Sequence, residues 1–267
     1  MTVDHTRRFD GRVDTYRRFR PTYPREIVDF LGERCALTTN SVIADVGAGT
    51  GLLSELFLRN GNSVFAIEPN DEMRSACKEL EATYPHLASV KGTAECTCVA
   101  DHSIDFVAVG RAFHWFDEEK CLKEFRRILK PSGWLAILNL GRREGREPLL
   151  QDYDELLVTH GSDYAAVRAK HDLVNTNAKF FSDGEVHHVE FSRVEELSYE
   201  TLEGRTLSMS VMPLPGNSRF PAMKRALEDY FCRYESNGRI KIPLICHVYV
   251  GQLSHPAITM TVTDEPG

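Results

Sequence analysis

Along the first half of the chain, short apolar runs alternate with stretches whose apolar residues recur every third or fourth position. Val42, Ile43, Ala44 and Val46 make the first run, 63–67 the second, and 87–91, 103–109 and 134–140 three more. Each suits a strand buried on both faces. Before and between them, 24–37, 51–60, 70–82 and 118–129 carry helical spacing, with Leu122, Phe125 and Leu129 on one stripe. Pro131-Ser132-Gly133 reads as a turn between the last of these helices and the fifth strand. The alternation predicts an α/β fold, a mostly parallel sheet with right-handed crossovers. Ligands of such sheets lie outside the carboxyl ends of the strands.

Beyond Leu140 the rhythm changes. Residues 147–180 read as two helical stretches with an Asn-rich end, 185–199 alternate like a strand, and Met212-Pro-Leu-Pro-Gly-Asn217 breaks the chain. A helix at 219–235 and a β-branched run at 240–250 complete the sheet.

The most informative segment is Val42-Ile-Ala-Asp-Val-Gly-Ala-Gly-Thr-Gly51, where an apolar run meets an acid and then glycines at alternate positions. Gly47, Gly49 and Gly51 remove side chains that would hold a ligand off the backbone, and the helix from Leu52 offers free N–H groups at its start. The next strand ends on Glu68, where a carboxylate suits a pair of ribose hydroxyls. The spacing is G-x-G-x-G with Leu at position 52, whereas the nicotinamide fingerprint is G-x-G-x-x-G.

Asp45-Val-Gly-Ala-Gly-Thr-Gly51, Glu68-Pro-Asn-Asp-Glu-Met73, Gly92-Thr-Ala-Glu95 and Ala112-Phe-His-Trp-Phe116 together resemble the motifs of class I S-adenosylmethionine-dependent methyltransferases. Phe9-Asp-Gly-Arg-Val-Asp-Thr-Tyr16 and Arg20-Pro-Thr-Tyr-Pro24 resemble the small-molecule enzymes of the ubiquinone-biosynthesis and trans-aconitate type. The resemblance is strong over 9–140 and loose beyond. It implies a Rossmann-like, seven-stranded, mostly parallel sheet with helices on both faces, an antiparallel final strand and an inserted lid. It also implies S-adenosylmethionine as cofactor, held by Asp45, Gly47, Ala48, Gly49, Glu68, Pro69, Met73, Ala94 and Glu95, with Arg20 beside it. On this reading one methyltransferase domain spans 1–267. It divides into an N-terminal arm and helix (1–40), a cofactor-binding core (41–140), a substrate lid with late strands (141–217), and a last helix with the final strand (218–267).

Such a cofactor carries an activated methyl group, so the protein's task is to align a nucleophile and exclude water. His114, after the fourth strand, is the candidate base; the same ring among Phe113, Trp115 and Phe116 also suits simple packing. Tyr16 and Phe113 are candidates to face the positive sulfonium. Arg111 suits a carboxylate, either of the acceptor or of the cofactor. The expected partner is a small-molecule methyl acceptor, with the chain acting as monomer or homodimer.

Composition narrows the alternatives. The 267 residues carry a net charge of −7, against nonspecific nucleic-acid binding. No run approaches the ~18 apolar residues of a membrane span, and no apolar signal core opens the chain, so the expectation is a cytoplasmic protein. Arg7, Arg8, Arg12, Arg17, Arg18, Arg20 and Arg25 crowd the N-terminus, as a solvated helix face or an anion-attracting surface. The 7 cysteines read as reduced thiols, with Cys96 and Cys98 as ordinary buried residues. His187 and His188 point to opposite faces of a strand, and no metal site is expected.

Overall fold

A computed structural model describes residues 8–175, 181 and 186–253. Its strands, β1 (Val42–Val46), β2 (Ser63–Ile67), β3 (Leu87–Val90), β4 (Ile104–Gly110), β5 (Leu129–Arg142), β6 (His187–Leu197) and β7 (Ile240–Gly251), form one sheet in the order β3-β2-β1-β4-β5-β7-β6. Only β7 runs against its neighbours, pairing antiparallel with β5 and β6. Strand β1 lies between β2 and β4, with Ile43 opposite both Val64 and Phe106. The chain therefore reverses direction across the sheet at β1, which opens a crevice at the carboxyl ends of β1 and β4.

The helices are α1 (Val13–Phe19), α2 (Glu26–Cys35), α3 (Leu52–Asn60), α4 (Asp71–Lys78), α5 (Glu118–Ile128), α6 (Pro148–His160), α7 (Tyr164–Asn175), α8 (Tyr199–Leu207) and α9 (Phe220–Tyr234). One apolar cluster joins Ile27, Phe57 and Phe106 on one face of the sheet; another joins Val107, Phe125 and Ile128 on the other. A third cluster, with Tyr153, Leu202 and Leu227, ties α6, α8 and α9 to the near half of β7. Burial on both faces explains why the central strands lack polar alternation.

Three departures from the sequence reading have local causes. The segment expected to turn at Pro131–Gly133 belongs to β5: the register steps from Ile104 opposite Leu129 to Phe106 opposite Trp134, so the extra residues bulge without ending the strand. The expected 70–82 helix is α4 capped by the Asn70 side chain, then a tight turn at Glu79–Ala82. Helix α8 had no counterpart in the periodicity. Ser198 caps it by accepting from the Thr201 N–H at 3.3 Å, and Gly204 in its middle faces Phe19 of α1. A Cβ on Gly204 would stand 2.2 Å from Phe19 Cδ2, so a helix-weakening glycine is needed for the two helices to cross. The Asn-rich end expected at 176–180 lies outside the described residues. No helix among the described residues is long and apolar enough to cross a membrane.

Candidate active site

The glycine turn after β1 is tied to the end of β2. The Gly47 and Ala48 N–H groups donate to the Ile67 carbonyl at 2.9 and 3.1 Å. Glu68 then reaches over the turn: one carboxylate oxygen accepts the Gly49 N–H at 2.8 Å, the other the Asn70 N–H at 2.9 Å. Two acceptors with about four lone-pair positions leave capacity for hydroxyl donors from a ligand. Gly47 has φ 74°, and a Cβ there would meet Ala112 Cβ at 2.5 Å; Gly49 has φ 58° and open space where its Cβ would stand. The first glycine lets the turn pack, and the second leaves the backbone bare toward the crevice.

Asp45 is buried beneath this turn. One oxygen accepts from the Ser54 hydroxyl at 2.6 Å, while Oδ1 has no hydrogen-bond partner. Burial pushes its carboxyl up to about 7, against the pull of Ser54. A buried acceptor without a partner is costly unless a ligand supplies the donor.

A narrow pocket at the turn is lined by Tyr16, Arg20, Asp45, Gly47, Ala48 and Arg111. Tyr16, Arg20 and Arg111 also line a cavity of about 620 Å³, so the two spaces share a wall. The Arg20 guanidinium lies 4.8 Å from the Tyr16 ring centroid, and its Nη2 donates to the Ser208 carbonyl at 3.0 Å. Its Nε is buried without a partner, and among the described residues no carboxylate pairs with it. Burial, reinforced by the neighbouring Arg111, lowers Arg20 to about 9. Arg111 itself has a left-handed backbone, φ 58°, pinned by its N–H to the Leu138 carbonyl at 3.0 Å. Such strain in a non-glycine residue gathers at ligand sites.

The far wall of the cavity comes from residues that local patterning did not single out. Tyr153 of α6 shares a 2.6 Å hydrogen bond with Thr206 of α8 and carries the Arg142 guanidinium 4.7 Å over its ring. Arg205 pairs with Glu195 at 2.7 Å and donates Nε to the Phe19 carbonyl at 3.1 Å, leaving a buried Nη1 without a partner. Ser198 with Thr201 was the one sequence signal for α8, and hence for Arg205. His114 lines the same cavity from the turn after β4, its ring 4.4 Å from Trp115.

The other expected site residues, like Gly49 and Glu68, lie outside the linings of the two spaces. Met73, Ala94 and Phe113 are buried, Pro69 follows Glu68, and Glu95 accepts the Asp117 N–H at 2.9 Å. None of these five lines either cavity.

Of the N-terminal arginines, Arg7 lies outside the described residues, and Arg8, Arg12, Arg17 and Arg18 are engaged within the fold. Arg12 is buried and donates to the Leu207 and Met212 carbonyls at 2.5 and 2.6 Å. Arg8 pairs with Asp163 at 2.9 Å over Trp115, Arg17 with Glu79, and Arg18 with Glu200 at 2.7 Å. Instead of forming an anion-attracting surface, these residues fasten α1 and the segment before it to their surroundings. All seven cysteines are free, but Cys96 and Cys98 are exposed, not buried, because they follow β3 on a surface loop.

A glycine cradle at the switch point of a seven-stranded sheet with one antiparallel strand defines the class I, Rossmann-like methyltransferase fold. Residues 44–137 match the family described as "Methyltransferase domain". The chain is 36% identical over 130 residues to an uncharacterized methyltransferase of Mycobacterium bovis, covering 49% of this chain and 51% of that one. It is 32% identical over 153 residues to an uncharacterized methyltransferase of Schizosaccharomyces pombe, covering 57% and 59% respectively. The matches thus span little more than half the length of these relatives. A solved structure from Anaeromyxobacter dehalogenans, provisionally described as a type II methyltransferase, superposes with a TM-score of 0.60 at 18% identity, over 89% of this chain and 100% of that one. A provisional methyltransferase from an antibiotic biosynthesis pathway of Anabaena variabilis superposes with a TM-score of 0.56 at 24% identity, over 83% and 96%.

Proposed function

We propose that this protein transfers a methyl group from S-adenosylmethionine to a small-molecule acceptor that carries an anionic group. The observation that carries the reading is the shared wall: Tyr16, Arg20 and Arg111 border both the narrow pocket at the glycine turn and the cavity of about 620 Å³. The end of a donor seated on the glycine turn and an acceptor in the cavity would meet at that wall.

The residues present fit the cofactor. Asp45 Oδ1 lacks a donor that an ammonium would supply, and Arg20 Nε lacks an acceptor that a carboxylate would supply. The bare backbone at Gly49 admits the central part of the molecule, and Glu68 retains lone pairs for ribose hydroxyls. When bound, the cofactor supplies an electrophilic methyl carbon that passes in line to the acceptor's nucleophile as the carbon–sulfur bond electrons return to sulfur.

Arg111 and Arg205 present guanidinium groups to the larger cavity, and Arg205 Nη1 is buried without a partner. An acceptor carboxylate would satisfy such donors and fix the nucleophile's position. His114 stands where it would orient or remove an acceptor proton. The aromatic and aliphatic walls from α1, α6 and α8 exclude water from the space between.

The test is incubation of the full chain with methyl-labelled S-adenosylmethionine and two matched acceptor panels, one of carboxylic acids and one of their neutral amides. Label entering only the acids supports the reading. Label entering the amides equally would remove the anionic acceptor, and no label in either panel would contradict small-molecule transfer.

A further inference from the structure

His188 and Glu190 stand two residues apart on β6, and the period-two pleat puts both on one face. His247 of β7 is the register partner of Glu190 and completes a triangle on that face. His187 points to the other face, its ring 6.1 Å from Trp134.

The three ligand-type atoms are closely gathered. His247 Nδ1 lies 3.3 Å from Glu190 Oε1 and 3.4 Å from His188 Nε2, and His188 Nε2 lies 3.9 Å from Glu190 Oε1. Nitrogen and oxygen ligands bound at ~2.0–2.2 Å in a tetrahedral array stand about 3.3–3.6 Å from one another. Two edges of the triangle already have that length, and the third needs to shorten by a few tenths of an ångström.

We propose that His188, Glu190 and His247 form a binding site for a divalent transition-metal ion of the zinc class. Two imidazoles and one carboxylate suit zinc, cobalt or nickel, whereas magnesium and calcium prefer sets made of oxygen. The site is partly built in advance. The β6–β7 register fixes the backbone spacing, and Tyr249 stacks on His188 with ring centroids 4.3 Å apart and planes within 5°. Three protein ligands leave a coordination position open. Because His247 also lines the large cavity, the ion would sit on its rim. The proposal stands apart from the cofactor reading, since neither Asp45 nor Glu68 takes part.

The test uses the full chain stripped with a chelator and titrated with zinc chloride by calorimetry, then with cobalt chloride by visible absorption. The expected result is one ion per chain with the intense visible bands of low-coordinate cobalt. Glu190→Gln and His247→Gln should each weaken binding at least about tenfold, while His187→Gln, on the opposite face, should leave it unchanged. S-adenosylhomocysteine binding and thermal unfolding measured on each variant separate loss of the ion from loss of the fold. Zinc binding that is unsaturable, or that survives unchanged in a His188→Gln/His247→Gln double variant, would overturn the proposal.

Discussion

Glu68, at the end of β2, accepts the backbone N–H of Gly49, on the turn after β1, at 2.8 Å. The carboxylate proposed to hold the ribose therefore also sets the shape of the turn proposed to receive the rest of the cofactor. Glu68→Gln keeps one acceptor oxygen but turns an amide N–H toward a backbone donor. Loss of a charged hydrogen bond of this kind should cost about 1.5–3 kcal/mol of S-adenosylhomocysteine affinity. Calorimetry on the variant checks this, and an affinity equal to the parent's would remove Glu68 from the cofactor site.

Asp45 gives the site a pH signature. Its carboxyl is raised from 3.8 to about 7 by burial, so the folded protein holds a proton that the unfolded chain has released. The fold is therefore favoured by this group below the ordinary carboxylate range, and that contribution is lost as pH rises toward about 7. Asp45→Asn should flatten this fall, measured as the difference in thermal midpoint between parent and variant across the window. Because an ammonium calls for the ionised carboxylate, cofactor affinity of the parent should rise as pH passes upward through about 7. Parallel stability curves for the two proteins would contradict the assignment.

Gly204 and Phe19 set how α1 lies across α8. A methyl group at Gly204 would overlap the ring, with Cβ 2.2 Å from Phe19 Cδ2. Gly204→Ala should destabilise the protein by about 1–3 kcal/mol through overpacking, read by urea unfolding. Phe19→Ala in the same chain should recover part of that loss through direct coupling. Strict additivity of the two substitutions would mean that the contact does not position the helix.

Arg111 distinguishes acceptor from donor. If its guanidinium holds the acceptor's anionic group, Arg111→Gln should raise KM for an acidic acceptor about tenfold or more. S-adenosylhomocysteine affinity should stay at the parent's level, since Arg20 is assigned to the cofactor's carboxylate. A loss of cofactor affinity with KM unchanged would reverse the two roles.

The legible parts of this molecule were those whose cause is local. The β1 run, the three glycines and Glu68 lie in one βαβ unit, so spacing alone carried the cradle. The long strands β6 and β7 were readable from alternation and β-branching. Residues brought together by distant packing were not. Tyr153 meets Thr206 only because α6 and α8 fold over the sheet, and Arg12 is buried only because residues 207–212 return to cover it. His188 and His247 are 59 positions apart and meet through the β6–β7 register, which the sequence pattern did not specify. His187 and His188 are adjacent in sequence, whereas the strand pleat separates adjacent side chains and joins those opposite.

The most direct test of the account is a calorimetric titration of the full chain with S-adenosylhomocysteine, with NAD as the control ligand. Saturable micromolar binding at one site, absent for NAD and weakened in Glu68→Gln, is the expected result. No heat from S-adenosylhomocysteine, or binding of NAD in its place, would contradict the assignment of the glycine cradle.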